Sequence, residues 1–120
     1  MAQPRPGYRT VTPRIVVSDV DAQVAFLRAV FDASGEVVAG RPAELTIGDS
    51  LVMVTSATER DLLPAFLYVY VDDADERYRR AIASGAETME QPTDTPYGDR
   101  RAMVRDPFGN IFQIAHPLVK

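Results

Sequence analysis

The sequence predicts an α+β fold made of two tandem β-α-β-β-β modules, each about 50 residues long. Two observations predict it. The strand-to-helix junction Ile-Val-Val-Ser-Asp-Val-Asp at residues 15–21 matches Val-Tyr-Val-Asp-Asp-Ala-Asp at residues 69–75, with a constant offset of 54 residues. Each junction is then followed by the same order of helix, Ser-Gly, strands, turn and strand. A shared use of Asp at helix starts is the alternative, but it explains only the junctions and not the shared order.

The first module begins with a predicted strand at residues 11–17. An amphipathic helix follows, because apolar residues recur at i, i+4, i+7 and i+11, namely Val20, Val24, Leu27 and Phe31. Ser18 with Asp21 resembles a capping box and predicts the helix start, while Gly35 predicts its stop. Three more strands are expected, at residues 36–38, 43–47 and 51–55, with a turn at residues 48–50 between the last two.

The second module begins with the β-forming run Phe-Leu-Tyr-Val-Tyr-Val at residues 66–71. Asp73 with Glu76 predicts the next helix start, and Gly85 its left-handed cap. The remaining elements are a short strand at 87–90, a loop at 91–98, a strand at 101–105, a turn at 106–109 and a strand at 110–115. These elements predict one domain at 10–120, with modules at 10–57 and 65–117. Residues 1–9 are rich in Pro, Gly and Arg and predict a flexible leader.

The composition excludes several classes of protein. The 120-residue chain has no Cys and one His, His116, so disulfide frameworks, zinc fingers, iron–sulfur clusters and thiol nucleophiles are excluded. A net charge of −4 argues against nucleic-acid partners, because neutralising phosphates dominates that affinity. No apolar run approaches the ~20 residues of a membrane span, and no secretory signal is apparent. We therefore expect a cytoplasmic protein.

Side-chain alternation along the strands predicts a cleft for a small molecule. In the strand at 66–71, Phe66, Tyr68 and Tyr70 share one face, opposite an aliphatic face that suits packing under a helix. Arg14 lies on the corresponding second face of the first strand, and Glu44 is a candidate partner for it. Aromatic rings with a few polar groups are typical of ligand pockets. The alternative is that these tyrosines are half-exposed sheet residues or dimer contacts.

The closing segment Asp-Pro-Phe-Gly-Asn-Ile-Phe-Gln-Ile at residues 106–114, together with the duplication, resembles the vicinal oxygen chelate superfamily. That superfamily contains glyoxalase I, bleomycin-resistance proteins and extradiol dioxygenases. Tyr-Gly-Asp-Arg at residues 97–100 is similar to a stretch of the bleomycin-resistance-like branch. The resemblance covers about residues 10–117. It implies two modules forming an incomplete barrel around a cleft, and frequently a homodimer.

The resemblance also implies where a metal would be held, by one residue from the first and the last strand of each module. Here these positions carry Thr12, Phe66, Gln113 and either Val52 or Met53, since the register of the first module is open. None is a carboxylate or an imidazole, and Phe66 has no ligand atom for a hard cation. We therefore expect no metal and no other cofactor.

The resulting hypothesis is a metal-free protein of the bleomycin-resistance type that sequesters an aromatic or cationic drug or metabolite at a dimer cleft. The ligand would stack on aromatic side chains, with polar contacts from two further residues. The candidate ligand-binding residues are Arg14, Phe66, Tyr68, Tyr70, Tyr97, Phe108 and Gln113. Two alternatives stay open. One is a glyoxalase-like lyase or isomerase, or a dioxygenase, with an atypical metal site or acid–base chemistry through Glu44, Tyr68 or His116. The other is an interaction protein whose cleft is filled by its own side chains.

Overall fold

A computed structural model describes residues 4–57 and 61–118. Its elements in chain order are β1 (Arg14–Val17), α1 (Val20–Phe31), β2 (Ala43–Ile47), β3 (Ser50–Ser56), β4 (Phe66–Tyr70), α2 (Ala74–Ala83), β5 (Glu87–Asp94), β6 (Asp99–Arg105) and β7 (Ile111–Pro117). Neither helix in this part of the chain has the length and apolar composition needed to cross a bilayer.

The strands form two open sheets, one from each module. The first sheet has the order β1-β3-β2 and the second the order β4-β7-β6-β5. In both sheets the first strand of the module pairs in parallel with the last, and the other pairings are antiparallel. The predicted α+β fold of two related modules is confirmed.

The first module differs from the prediction at both ends of its helix. Asp19, not Ser18, is the N-cap: its backbone is extended and its carboxylate accepts a hydrogen bond from the Ala22 N–H at 3.0 Å. The helix ends at Asp32, before the predicted stop, with that residue in the left-handed region at φ 55°. Its carboxylate is held by Arg77 of α2 at 2.8 Å, a tertiary contact that no local pattern predicts.

The strand predicted at residues 36–38 does not form. In its place, Ser34 makes an isolated antiparallel bridge to Thr46 of β2. Gly35 follows at φ 126°, and a Cβ there would lie 2.6 Å from the Glu44 carbonyl oxygen. The chain therefore touches β2 at one point, where only glycine fits, and then leaves the sheet.

The second module follows the prediction more closely. Asp73 caps α2 by accepting from the Glu76 N–H at 3.2 Å, and Gly85 lies at φ 97° after the helix, as predicted. The predicted loop at 91–98 is wrong in its first half, because β5 continues to Asp94. This strand is at the sheet edge and its pairing with β6 has register shifts, so it accommodates Pro92.

One core joins the two modules on the helix side of both sheets. Phe112 of β7 is fully buried and contacts two rings of α1, with centroids 6.0 Å away for Phe26 and 5.3 Å for Phe31. A buried polar link lies beside it: Gln23 of α1 donates to the Asp106 carboxylate at 2.9 Å and accepts from the Asn110 amide at 2.7 Å. The closing segment of the second module is thus fixed to the first helix.

Candidate functional site

The candidate site lies on the face of the second sheet that points away from the helices, which we call the open face. Alternation along β4 places Phe66, Tyr68 and Tyr70 on it, whereas Leu67 and Val69 point to the core side. The three aromatic residues are 66%, 37% and 61% exposed. The predicted aromatic face therefore exists.

A buried carboxylate at the start of β6 organises the two tyrosines. Asp99 is 7% exposed, and one of its oxygens, Oδ2, accepts from the Tyr68 hydroxyl at 2.6 Å and from the Tyr70 hydroxyl at 2.9 Å. The two rings lie 5.4 Å apart between centroids with a tilt of 59°, a favourable aromatic arrangement. Two phenols sharing one acceptor hold both rings in a fixed relative position. We call these three residues the Tyr–Asp–Tyr cluster.

Tyr97 and Arg101 extend this cluster along the open face. The Tyr97 hydroxyl lies 3.4 Å from that of Tyr68 and accepts from Arg101 Nη1 at 3.1 Å. Arg101 also forms an ion pair with Glu90 of β5. The Tyr-Gly-Asp-Arg stretch noted in the sequence thus contributes both a rim aromatic and the central carboxylate.

These contacts shift the phenol pKa values in opposite directions. Burial, together with the hydrogen bond to Asp99, raises the pKa of Tyr68 well above its ordinary value. The hydrogen bond to Asp99 is the main cause that raises the pKa of Tyr70. The hydrogen bond with Tyr68, and after it Arg101, lowers the pKa of Tyr97. Tyr68 and Tyr70 are therefore firm hydrogen donors, and Tyr97 is the most acidic of the three.

Asp99 forms no ion pair with any cation in the part of the chain that the structure describes. The neighbouring Arg100 points elsewhere and pairs with Asp75 at 2.9 Å and Asp94 at 3.0 Å. Arg101 is paired with Glu90. The Asp99 carboxylate is thus stabilised by hydrogen bonds and, among the described residues, by no ion pair, as is the more deeply buried Asp106.

The strand register fixes the four metal positions that the resemblance implies. Because β1 pairs Arg14 with Met53 as β4 pairs Tyr68 with Gln113, Met53 is the first-module counterpart of Gln113, and Val52 points to the core. The set is therefore Thr12, Met53, Phe66 and Gln113, which offers one amide oxygen, one hydroxyl, one thioether and no charge. Within residues 4–57 and 61–118, no group of three or more His, Asp or Glu side chains is placed to hold a metal. These residues do not fit the divalent metal of the family's enzymes.

The structure separates two of the sequence-predicted residues from the tyrosines. Arg14 is exposed on the first sheet and lines a shallow depression with Val20 and residues 37–43. The expected Arg14–Glu44 pair does not form, because Glu44 binds Arg5 at 2.8 Å and Arg41 at 3.4 Å. Phe108 packs against the core at the turn before β7. Within one chain, neither residue joins the Tyr–Asp–Tyr cluster, whereas Gln113 pairs directly with Tyr68 across the sheet.

His116 has a structural partner. Its Nδ1 accepts a hydrogen bond from the Ala74 N–H at 2.8 Å, in the first turn of α2. The residue is half-buried, and its imidazole supplements the Asp73 cap. The acid–base role considered for His116 gains no support from this position.

Sequence reasoning missed Asp99 as the centre of the site, and with it Arg101 and Glu90. Alternation in β6 places Asp99 and Arg101 on the same face, so a signal existed in the sequence. To place Asp99 beside the tyrosines, one also needs the register of β6 against β7, and only the folded sheet gives that register.

Comparisons with known proteins agree with this fold. The family profile described as the Glyoxalase/Bleomycin resistance protein/Dioxygenase superfamily matches residues 9–114. A Mycobacterium bovis protein named "Putative glyoxylase CFP32" is 34% identical over 103 residues, which are 81% of this chain and 40% of that protein. The crystal structure of TioX from Micromonospora sp. ML1 is similar with a TM-score of 0.75 and 26% identity, covering 92% of this chain and 99% of that one.

A glyoxalase/bleomycin resistance protein/dioxygenase family enzyme from Burkholderia phytofirmans PsJN has the same fold, with a TM-score of 0.77 and 24% identity over 89% of this chain and 97% of that one. Because the sequence identity to this enzyme is low, the similarity shows the fold alone. The two-module architecture, the closing Asp-Pro-Phe-Gly-Asn segment and the family profile over residues 9–114 lead to one conclusion: the chain belongs to the glyoxalase/bleomycin resistance protein/dioxygenase superfamily.

Proposed function

We propose that the protein binds a small organic molecule that carries an aromatic ring and a positive charge, on the open face of the second sheet and without a metal. This is the bleomycin-resistance type of activity, and it would remove a drug or metabolite from solution. The observation that carries the proposal is the Tyr–Asp–Tyr cluster, in which two fixed, partly exposed rings surround a buried carboxylate without a cationic partner.

The chemistry of the cluster favours a cation over a neutral ligand. A phenol that donates to a carboxylate keeps its ring electron-rich, and a cation over such a ring gains about 0.5–2 kcal/mol. Ring stacking adds about 0.5–1.5 kcal/mol beyond buried area. A ligand ammonium near Asp99 would also supply the missing counter-charge. The net charge of −4 attracts cations from a distance.

The proposal includes a second copy of the chain. The open face supplies one wall of a cleft, and its large side chains Phe66, Tyr70 and Tyr97 are each more than 60% exposed. In the proposed homodimer, the first sheet of the partner covers this wall. That arrangement would bring Arg14 and Met53 of the partner subunit towards the ligand.

The test is a matched ligand series. Aromatic amines are titrated calorimetrically beside neutral alcohols of the same shape, with the native protein and with Asp99→Asn. We expect the amines to bind more tightly than the alcohols, and Asp99→Asn to weaken the amines about tenfold, or ~1.4 kcal/mol, while leaving the alcohols unchanged. Tyr70→Ala removes one ring of the cluster and should weaken both series, whereas its matched control Tyr78→Ala should not, because the Tyr78 hydroxyl contacts Thr88 away from the cluster. Equal affinity of amines and alcohols would refute the proposal.

A metal-free acid–base enzyme of the same superfamily is the second candidate, and the observation in its favour is Tyr97. Its lowered pKa, 61% exposure and contact with Arg101 are features of a phenol that gives and takes a proton. Tyr97→Phe would abolish turnover by such an enzyme but would change sequestration only weakly. A stoichiometric divalent metal in protein purified without chelator would contradict both metal-free candidates.

A further inference from the structure

We propose a second ligand site on the core side of β4, next to the Tyr–Asp–Tyr cluster, which takes a small neutral molecule with one hydrogen-bonding group. A cavity of about 260 Å³ lies there between the two sheets. Most of its lining consists of core-side residues of the two modules, and two residues of the Tyr–Asp–Tyr cluster also line it: Pro13, Ile15, Leu27, Ile47, Val52, Leu67, Val69 and Phe112, with Tyr68 and Tyr70. Its mouth is the exposed β2–β3 turn at residues 48–50.

The partial burial of β4, an edge strand of its sheet, is consistent with an opening beside it. Leu67 and Val69 point to the core side yet are only half-buried. Their neighbours Phe112 and Ile114 on β7 share that side and are fully buried. Native interiors normally leave few voids larger than a water molecule, so an apolar opening beside two core residues is a feature to explain.

The cavity also carries a specific polar edge. The Ala65 C=O and the Val71 N–H form hydrogen bonds with β7. The main-chain groups of Phe66, Tyr68 and Tyr70 therefore point to the opposite edge of β4, away from β7. The main-chain N–H and C=O of Tyr68, which lines the cavity, therefore point to the free edge of β4 and have no hydrogen-bond partner within the described residues. A ligand with one donor or acceptor would satisfy one of these groups.

Size and charge define the ligand class. The volume is just below the ~300–1,000 Å³ of pockets for drug-sized molecules and above the ~150 Å³ that accommodates benzene. Of the described lining residues, Asp49 is the one that carries a charge, and it lies exposed at the mouth. Anions are therefore disfavoured, and a mono- or bicyclic neutral molecule fits. This site shares no ligand chemistry with the proposed cationic site on the open face.

The probe is indole, which is neutral, bicyclic and has one N–H donor. Methyl NMR spectra of the intact protein are recorded during the titration. We expect indole to shift the methyl signals of Ile15, Leu27 and Val52, but not those of Val104, a core residue outside the cavity wall. Indole-3-acetate, an anion of similar shape, is expected to leave all of them in place.

Two variants test the location. Ser50→Trp blocks the mouth at an exposed position, and Leu67→Phe fills the interior at a half-buried one; each should weaken indole at least tenfold. Met89→Trp, at an exposed position on β5, is the matched control and should bind indole as the native protein does. The absence of methyl shifts up to the solubility limit of indole would overturn the proposal. So would binding that survives both variants, or binding that Asp99→Asn abolishes, since Asp99 belongs to the cationic site and does not line the cavity.

Discussion

Replacing Asn110 by Ala should remove one of the two hydrogen bonds of the buried link between the modules and lower stability strongly. The Asn110 amide donates to Gln23 Oε1 at 2.7 Å, and its oxygen accepts from the Ala65 N–H at 2.8 Å, with the side chain only 1% exposed. Alanine leaves the buried Gln23 oxygen and the partly buried Ala65 N–H without these partners, and each unsatisfied group costs about 1–3 kcal/mol. We therefore expect a loss of about 3 kcal/mol, a large part of the ~5–15 kcal/mol typical of a domain.

Urea denaturation followed by circular dichroism measures this loss. With a slope of about 1–3 kcal/mol/M, the transition midpoint should fall by roughly 1–3 M. Gln91→Ala, at an exposed position on β5, is the control and should change stability by less than about 0.5 kcal/mol. In a double-mutant cycle, Gln23→Ala should cost much less in the Asn110→Ala background than in the native protein. A loss below about 1 kcal/mol for Asn110→Ala, or fully additive effects, would refute this account of the buried link.

Three further predictions concern the cap of α2, the close approach of Gly35 to β2, and the phenol of Tyr68. His116→Ala should cost about 0.5–2 kcal/mol in thermal denaturation, because the first turn of α2 loses an acceptor; a change within error would contradict the cap. Gly35→Ala should destabilise more than Gly40→Ala, since both have positive φ but only the first would bring a Cβ within 3.0 Å of a backbone atom; equal losses would exclude the steric cause. The raised pKa of Tyr68 means that its stabilising effect is complete below about pH 10, the ordinary tyrosine value, and is lost above it. Tyr68→Phe should therefore show a shallower alkaline loss of stability than the native protein, and identical pH profiles would count against the assignment.

Much of the fold was predictable because its signals are local. The offset between the two junctions, the Asp73 cap and the left-handed Gly85 each depend on a few adjacent residues, and the structure confirms all three. The errors arose where distant contacts decide the conformation. α1 ends early at Asp32, whose carboxylate Arg77 of the other module binds, and β5 continues past Pro92 at a sheet edge, where proline is tolerated.

The site was predictable in one strand and not across strands. Period-two alternation placed Tyr68 and Tyr70 on one face, and that placement is confirmed. It also placed Arg14 on an equivalent face, but symmetry between modules does not bring the two faces together in one chain. Asp99, about 30 positions further along, reaches the tyrosines only through the register of β6 and β7.

The contacts of α1 with the second module have a consequence for how the duplicated halves behave. Gln23 and Asp32 bind Asp106 and Arg77, so the first half directs buried and charged groups into the second. Either half made alone would expose Phe112 or the rings that cover it, and would leave these polar groups without partners. The repeats have therefore become parts of a single cooperative unit, and a substitution at Asp106 would disturb the helix of the opposite repeat as well as the turn of its own.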